Sequence, residues 1–427
     1  MSTTGGAVQS PAMRDAERPA TERLVSLDAY RGLVMLAMAS AGLGISQVAK
    51  ATGNWPWTSI APQLDHVPWV GCAVWDLIQP AFMFMVGVAI PYSYARRAER
   101  GDSYGRMFRH ALVRSMVLVA LGVFLASAWS ERTNFFFTNV LAQIGLGYMF
   151  VFLLRDRGAL IQAAAAVAIL VGYWLAFYWY PEPQPGIDMS EEAYRQAFAM
   201  PDDWPLLTGR AAHWNKNANF AGWFDTWFLN LFPRDKTWTL AENQGGYHTL
   251  NFIPSIATML FGLMAGELLR SAWSRRAKIF ALVVAGGLLF AGGWVAGDTI
   301  CPIVKRIWTP SWALYSGGIV VWILAAFYTV VDVAGFRRWT FPLVVVGMNS
   351  IAMYMMAQLM KGWTWTMLGI HFGPLVAWAP VRNAIVTVFG QSVFDPAHEP
   401  MIRLTSVLVV FWLICWWLYR QRLFVRI

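Results

Sequence analysis

Apolar runs of about 20 residues, the length a helix needs to cross a hydrocarbon layer about 30 Å thick, recur almost end to end through this chain. An extramembranous core has no use for that repeat. With 57% hydrophobic and only 13% charged residues, 24 Trp and 27 Phe, the sequence reads as an all-α, polytopic transmembrane helix bundle of about ten to eleven spans. The apolar runs predict helices near 27–49, 73–95, 108–128, 138–154, 159–180, 248–270, 278–297, 310–332, 341–360 and 402–419. The 374–395 stretch, GPLVAWAPVRNAIVTVFGQSVF, is too interrupted for a plain span and reads as a surface or re-entrant helix. Residues 1–22 are small and polar, with Pro11 and Pro19, and are expected to form a disordered cytoplasmic tail ahead of a membrane domain over 23–427.

More than half of the 33 lysines and arginines fall in the tail, the C-terminus and the short turns 96–109, 155–157, 270–278 and 337–338. That bias places both termini in the cytoplasm, with the bacterial inner membrane as the expected location. The longer loops, near 50–72, 181–247 and 361–401, then face the other side. The net charge of +9 is spread between apolar runs rather than gathered in a patch, so it reads as a topology signal and not as a nucleic-acid surface. Cys72, Cys301 and Cys415 are too few and too scattered for a disulfide scaffold or a metal cluster. Nothing in the sequence opposes a homodimer.

Two constellations place polar groups where an ordinary span is apolar. DHVPWVGCAVWDLIQPAFMFMVGVAI puts His66 just before the second helix and Asp76 and Gln79 inside it. Burying a carboxylate costs a few kcal/mol or more unless it is paired or lines a wet cavity, which makes Asp76 a functional candidate. The alternative is structural, a first-turn acid satisfying helix N–H groups. In RLVSLDAYRGLVMLAMA, Asp28 and Arg31 stand three residues apart on one face. Ser26 could cap that helix and Arg31 could snorkel to headgroups; otherwise Arg31 binds an anion entering from the cytosol, with Asp28 orienting its guanidinium.

The ordered set RLVSLDAYRG, HVPWVGCAVWDLIQPAFMFMVGVAI, NVLAQIGLGYMFVFLL, IPSIATMLFGLMAGELL, VVDVAG, PLVVVGMNSIAMYM and LYRQRLFVRI resembles the heparan-alpha-glucosaminide N-acetyltransferase family of transmembrane acyltransferases. The similarity runs from about Arg23 to Ile427 and is weakest through 181–247. It implies acetyl-CoA as a co-substrate taken from the cytosolic side and an acetyl group passed to the amine of an extracytoplasmic glucosamine. The family's essential histidine, in an H-x-x-W-x-G setting, matches His66, with Trp69 and Gly71 in step. Its aspartate before L-x-x-P matches Asp76, its D-x-x-R-G matches Asp28, Arg31 and Gly32, and its G-M-N-S matches Gly347 to Ser350. The lysosomal members carry an extra luminal domain ahead of the first helix, where this chain has a short tail. A substrate as large as heparan sulfate is therefore not the expectation.

Acyl transfer from a thioester to an amine needs the ammonium deprotonated and the developing oxyanion stabilised. Histidine, which changes charge near neutral pH, suits the first task, either as a base or as a transient acetyl carrier. The expected roles are thus His66 and Asp76 at the chemistry, with Asp65 an alternative partner for the imidazole. Asp28, Arg31 and Asn349 are expected at the donor, and Trp69, His248 and Lys305 at the acceptor. His248 is also the rival base. Lys305 or Asn349 could help at the carbonyl, and Asn349 could line the outer half of a donor channel with Asp76 and Gln79. No metal is expected. A membrane O-acetyltransferase of envelope glycans and a secondary transporter remain as competing readings, although no internal repeat supports transport.

Overall fold

The apolar runs fold as helices, and no β-strand occurs among residues 24–425, which the computed structural model describes. The tail expected over 1–22 lies outside them. In chain order the principal helices are α1 (Val25–Ser40), α2 (Ile45–Thr52), α3 (Ile78–Glu99), α4 (Tyr104–Ser127), α5 (Val140–Leu154), α6 (Ala159–Tyr178) and α7 (Phe252–Arg270). They continue with α8 (Arg275–Thr299), α9 (Pro310–Phe327), α10 (Phe341–Met348), α11 (Ser350–Leu359), α12 (Lys361–Ala377), α13 (Ala379–Phe389) and α14 (Glu399–Arg420). Eight helices are long and apolar enough to cross a membrane, or up to ten if each of two bent pairs is one span. The chain is a multi-pass helical membrane protein.

At the centre, α3 and α7 cross closely because glycine removes the side chains between them. A Cβ at Gly87 would meet the Met259 carbonyl, one at Gly262 the Phe84 carbonyl, and one at Gly266 the Val88 carbonyl. The spacing of Gly262 and Gly266 is the small-x-x-x-small pattern by which membrane helices approach without a hydrophobic driving force. These two spans are the most enclosed of the molecule, whereas α4 and α8 present much of their surface outward.

Two expected spans are broken. The first bends at Ala41–Gly44, where Ala41, Gly42, Leu43 and Gly44 all adopt positive φ. Gly44 there lies against the backbone of Pro400 at the start of α14, where a Cβ would not fit. The predicted 341–360 helix is instead α10 and α11, bent by 69° at Asn349. The interruption read in 374–395 falls at Trp378, where α12 and α13 meet at 93° just before Pro380.

One span sets the distance scale. α9 and its continuation to Val333 cover 24 residues, roughly 36 Å of helix. Lys305 and Thr309 precede its first turn, and Asp332 lies at its far end. The Asp332 carboxylate accepts from the N–H groups of Val25 and Ser26 at 3.1 and 3.2 Å and so caps α1. Ser26 is inside the helix, with its buried hydroxyl unpartnered, and does not cap. The start of α1 and the loop carrying Lys305 are therefore at opposite ends of the same long helix.

Candidate active site

A stretch of 3-10 helix, Val74–Leu77, leads into α3 and points Asp76 back at the loop before it. The side chain divides its work. Oδ2 accepts from the N–H groups of Ala73 at 3.0 Å and Val67 at 3.3 Å, which closes the loop and caps the turn. Oδ1 lies 2.7 Å from His66 Nδ1 and 3.2 Å from Lys305 Nζ. The structural reading of Asp76 thus describes Oδ2, while Oδ1 is the oxygen that pairs with His66 and Lys305. Asp65 takes the backbone N–H of His66 at 2.8 Å and does not touch the ring.

Lys305 arrives from the loop between α8 and α9. That loop is stitched to the His66 loop by an antiparallel bridge between Val70 and Val304 and by Gly71 N–H donating to the Ile303 carbonyl at 2.9 Å. Lys305 Nζ also lies 3.0 Å from His66 Nδ1. Asp76 and Lys305 are buried, with side-chain exposures of 1% and 4%, while His66 keeps 35%. Burial pushes the Lys305 ammonium down to about 8, against the opposing pull of Asp76, and the charge of Arg306 lowers it further.

With the imidazole proton on Nδ1, the 2.7 Å contact is a hydrogen bond to the carboxylate and the lone pair is on Nε2; with the proton on Nε2, Nδ1 instead accepts from the Lys305 ammonium at 3.0 Å. Lys305 supplies the positive charge that lets the carboxylate stay where it is. A ring held through Nδ1 by a buried carboxylate and a buried ammonium, and itself 35% exposed, is the kind of arrangement that can serve as an oriented base or nucleophile.

The other expected acceptor groups sit around this centre without joining it. Trp69 is 1% exposed, donates its indole N–H to the Trp214 carbonyl at 2.9 Å and meets Trp204 edge to face. Phe177 stacks on Trp214, so Trp69 pins the 181–247 cap to the bundle. His248 is fully buried in a separate pair with Asp225, Nδ1 to Oδ2 at 3.0 Å, and Asp225 also accepts from Thr249 N–H. The sequence gives no local hint of Asp225, which lies in the aromatic run FAGWFDTWF on a short helix, Phe220–Phe228.

The donor candidates gather at the opposite end. Arg31 and Asp28 form a loose pair at 3.9 Å. Gly347 packs on the Asp28 carbonyl and Gly32 on the Leu343 carbonyl, each leaving no room for a Cβ, so D-x-x-R-G and G-M-N-S interlock. Asn349 is buried at the α10–α11 bend, takes the Val425 N–H at 3.2 Å and has an unpartnered Nδ2. It belongs beside Asp28, not in the outer half of a channel or at the carbonyl near His66. The glycine-mediated packing of α1 on α10 is what carries it there.

No family model matches the chain. A heparan-alpha-glucosaminide N-acetyltransferase of Mus musculus is 24% identical over 392 residues, 82% of this chain and 55% of the relative. The protein of the same name from Homo sapiens is 24% identical over 375 residues, 78% of this chain and 52% of the relative. The chain spans about half the length of the curated relatives it matches. Similarity over most of this chain, on a helical multi-pass fold, makes it a distant relative of the heparan-alpha-glucosaminide N-acetyltransferases.

Proposed function

We propose that this protein is a transmembrane N-acetyltransferase that passes an acetyl group from cytosolic acetyl-CoA to the amine of an extracytoplasmic amino sugar. The observation that carries the reading is the His66–Asp76–Lys305 cluster at one end of a span whose other end packs on the start of α1, the helix that bears Asp28 and Arg31. In this scheme His66 Nε2 removes a proton from the acceptor ammonium. The amine then attacks the thioester carbonyl, the new C–N bond replaces the C–S bond, the proton still on the attacking nitrogen passes to the departing thiolate, and the proton taken by His66 is released to solvent. A transient acetyl group on Nε2 would use the same lone pair. Lys305 meets the oxyanion, and the Asp76 carboxylate holds the ring in the productive tautomer.

CoA carries several negative charges and does not cross hydrocarbon, so only its acyl arm reaches His66. The buried, unpartnered Nδ2 of Asn349 and the guanidinium of Arg31 suit the polar groups of that donor. Arg31→Ala is expected to weaken CoA binding by about 1.5–3 kcal/mol, as for loss of a charge-assisted hydrogen bond. Arg31→Lys should recover it only in part, because lysine lacks the planar fork. Titration of the purified variants with CoA measures both; unchanged affinity would return Arg31 to a headgroup role.

With both termini cytoplasmic in a bacterial inner membrane, donor and acceptor must be supplied on opposite faces. In sealed vesicles of known orientation, acetyl-CoA is expected to act only from the cytoplasmic face and glucosamine only from the other. Activity with both substrates on the same face would refute the transmembrane route. Transfer to a neutral sugar but not to glucosamine would make the enzyme an O-acetyltransferase, and uptake of label without consumption of acetyl-CoA would make it a transporter.

A further inference from the structure

Beside the His66 cluster, the 181–247 cap and the α8–α9 loop bring together more positive charge than the fold neutralises. Lys216 is only 1% exposed, with Nζ 4.5 Å from the centre of the Trp204 ring. Arg306 lies 5.3 Å from the same ring and 5.6 Å from that of Tyr247. Lys305 in turn is 6.0 Å from Tyr247 and touches His66. Lys216, Trp204, Arg306, Tyr247 and Lys305 thus form a chain of contacts that ends on the candidate base.

Among the described residues, Lys305 is the one cation of these three that pairs with a carboxylate. Among the described residues no ion pair involves Lys216 or Arg306. Arg306 Nη1 donates to the Gly245 carbonyl at 2.8 Å, and its Nε is buried without a partner. The loop that completes the cluster is held close by Gly246, at φ +70, where a Cβ would collide with Trp69 and crowd Lys216. Burial pushes the Lys216 ammonium down, and repulsion from Arg306 adds to it. A cation–π contact recovers only part of the cost of taking a cation out of water. If these residues served only to pack the cap, apolar side chains of similar size would do so without that cost. A buried cation and a half-buried one, with no ion pair among the described residues and flanked by aromatic rings, match what an anionic sugar offers: an acidic group for the cations and C–H faces for the rings.

We propose that Lys216 and Arg306, with Trp204 and Tyr247, recognise an acidic substituent on the acceptor, so that the preferred acceptor is an anionic amino sugar bearing a carboxylate, sulfate or phosphate. The position of this subsite beside His66 rests on the acetyltransferase reading; its capacity to bind an anionic sugar does not.

The test compares glucosamine with glucosamine 6-phosphate, glucosamine 6-sulfate and 2-amino-2-deoxyglucuronate on the full-length protein in detergent at matched ionic strength. Affinity is read from ligand-dependent thermal stabilisation, and acetylation is read separately. At least one anionic sugar is expected to bind about tenfold or more tightly than glucosamine, the scale of a charge-assisted hydrogen bond. Lys216→Met and Arg306→Met should each collapse that preference, and Lys216→Arg should retain most of it. Equal affinity for neutral and anionic sugars, or an undiminished preference in both methionine variants, overturns the proposal. So does inorganic sulfate or phosphate binding as tightly as the sugars, or a loss of CoA affinity in Lys216→Met, which would assign the cations to a free anion or to the donor. Acetylation of glucosamine without any anionic preference leaves the enzyme reading intact and removes the subsite. Preferential binding of anionic sugars with no acetylation of any sugar does the reverse.

Discussion

His66→Ala is expected to lower acetyl transfer by about 10²–10⁴-fold, the contribution of a positioned general base, while CoA binding and folding persist. The residue is one-third exposed and makes no contact that closes the core, so its loss leaves no large cavity. Its partners keep each other, because Lys305 still faces Asp76 at 3.2 Å. Single-turnover transfer from labelled acetyl-CoA, with CoA titration on the same preparation, separates chemistry from donor binding. Normal turnover would remove His66 from the mechanism. Attention would then pass to His248, although that side chain is sealed against Asp225 with no exposed surface.

The second large effect concerns the buried pair behind the histidine. Asp76→Asn leaves Lys305 facing a neutral amide in a site that excludes water, and breaking such a pair from one side costs about 3–5 kcal/mol. Lys305→Met should cost less, because Asp76 keeps the N–H groups of Val67 and Ala73 and the His66 ring. The double variant should recover much of the stability lost by Asp76→Asn and none of the activity, since neither the tautomer lock nor the oxyanion cation returns. Thermal unfolding in detergent and transfer rate measure the two separately. Additive stability losses would show that the groups act independently. Lys305 also sets a pH limb. Its ammonium is held down to about 8, so it is charged below that pH and neutral above it. Wild-type activity should therefore fall as pH rises through about 8, and Lys305→Met should lack that limb.

The helices were legible because hydropathy over 20 residues is a local property that bilayer thickness enforces. Their breaks were not. Ala41–Gly44 is as apolar as its surroundings and Gly347–Asn349 adds a single amide to an apolar run, while the left-handed turn and the 69° bend depend on Pro400, Val425 and Asp28, which are distant in sequence. Ser26 looked like a cap by its type and position, yet the cap is Asp332, 306 residues further along. The same distinction governs the site. His66 and Asp76 stand ten residues apart across one helix start, and a polar pair there is conspicuous in sequence. Lys305 was named without a placed partner, and the Asp225–His248 pair and the Lys216–Arg306 cluster have no period or motif, since their members meet only when the cap closes on the bundle.

The Val70–Val304 bridge and the Lys305 contact join segments made at very different times. His66 and Lys305 are 239 residues apart, which at 5–20 residues per second is roughly 10–50 s of ribosomal synthesis. For that interval Asp76 belongs to a nascent chain that does not yet contain its cation. The pairing at the imidazole is thus also a late step of biogenesis, completed only after most of the chain has been made.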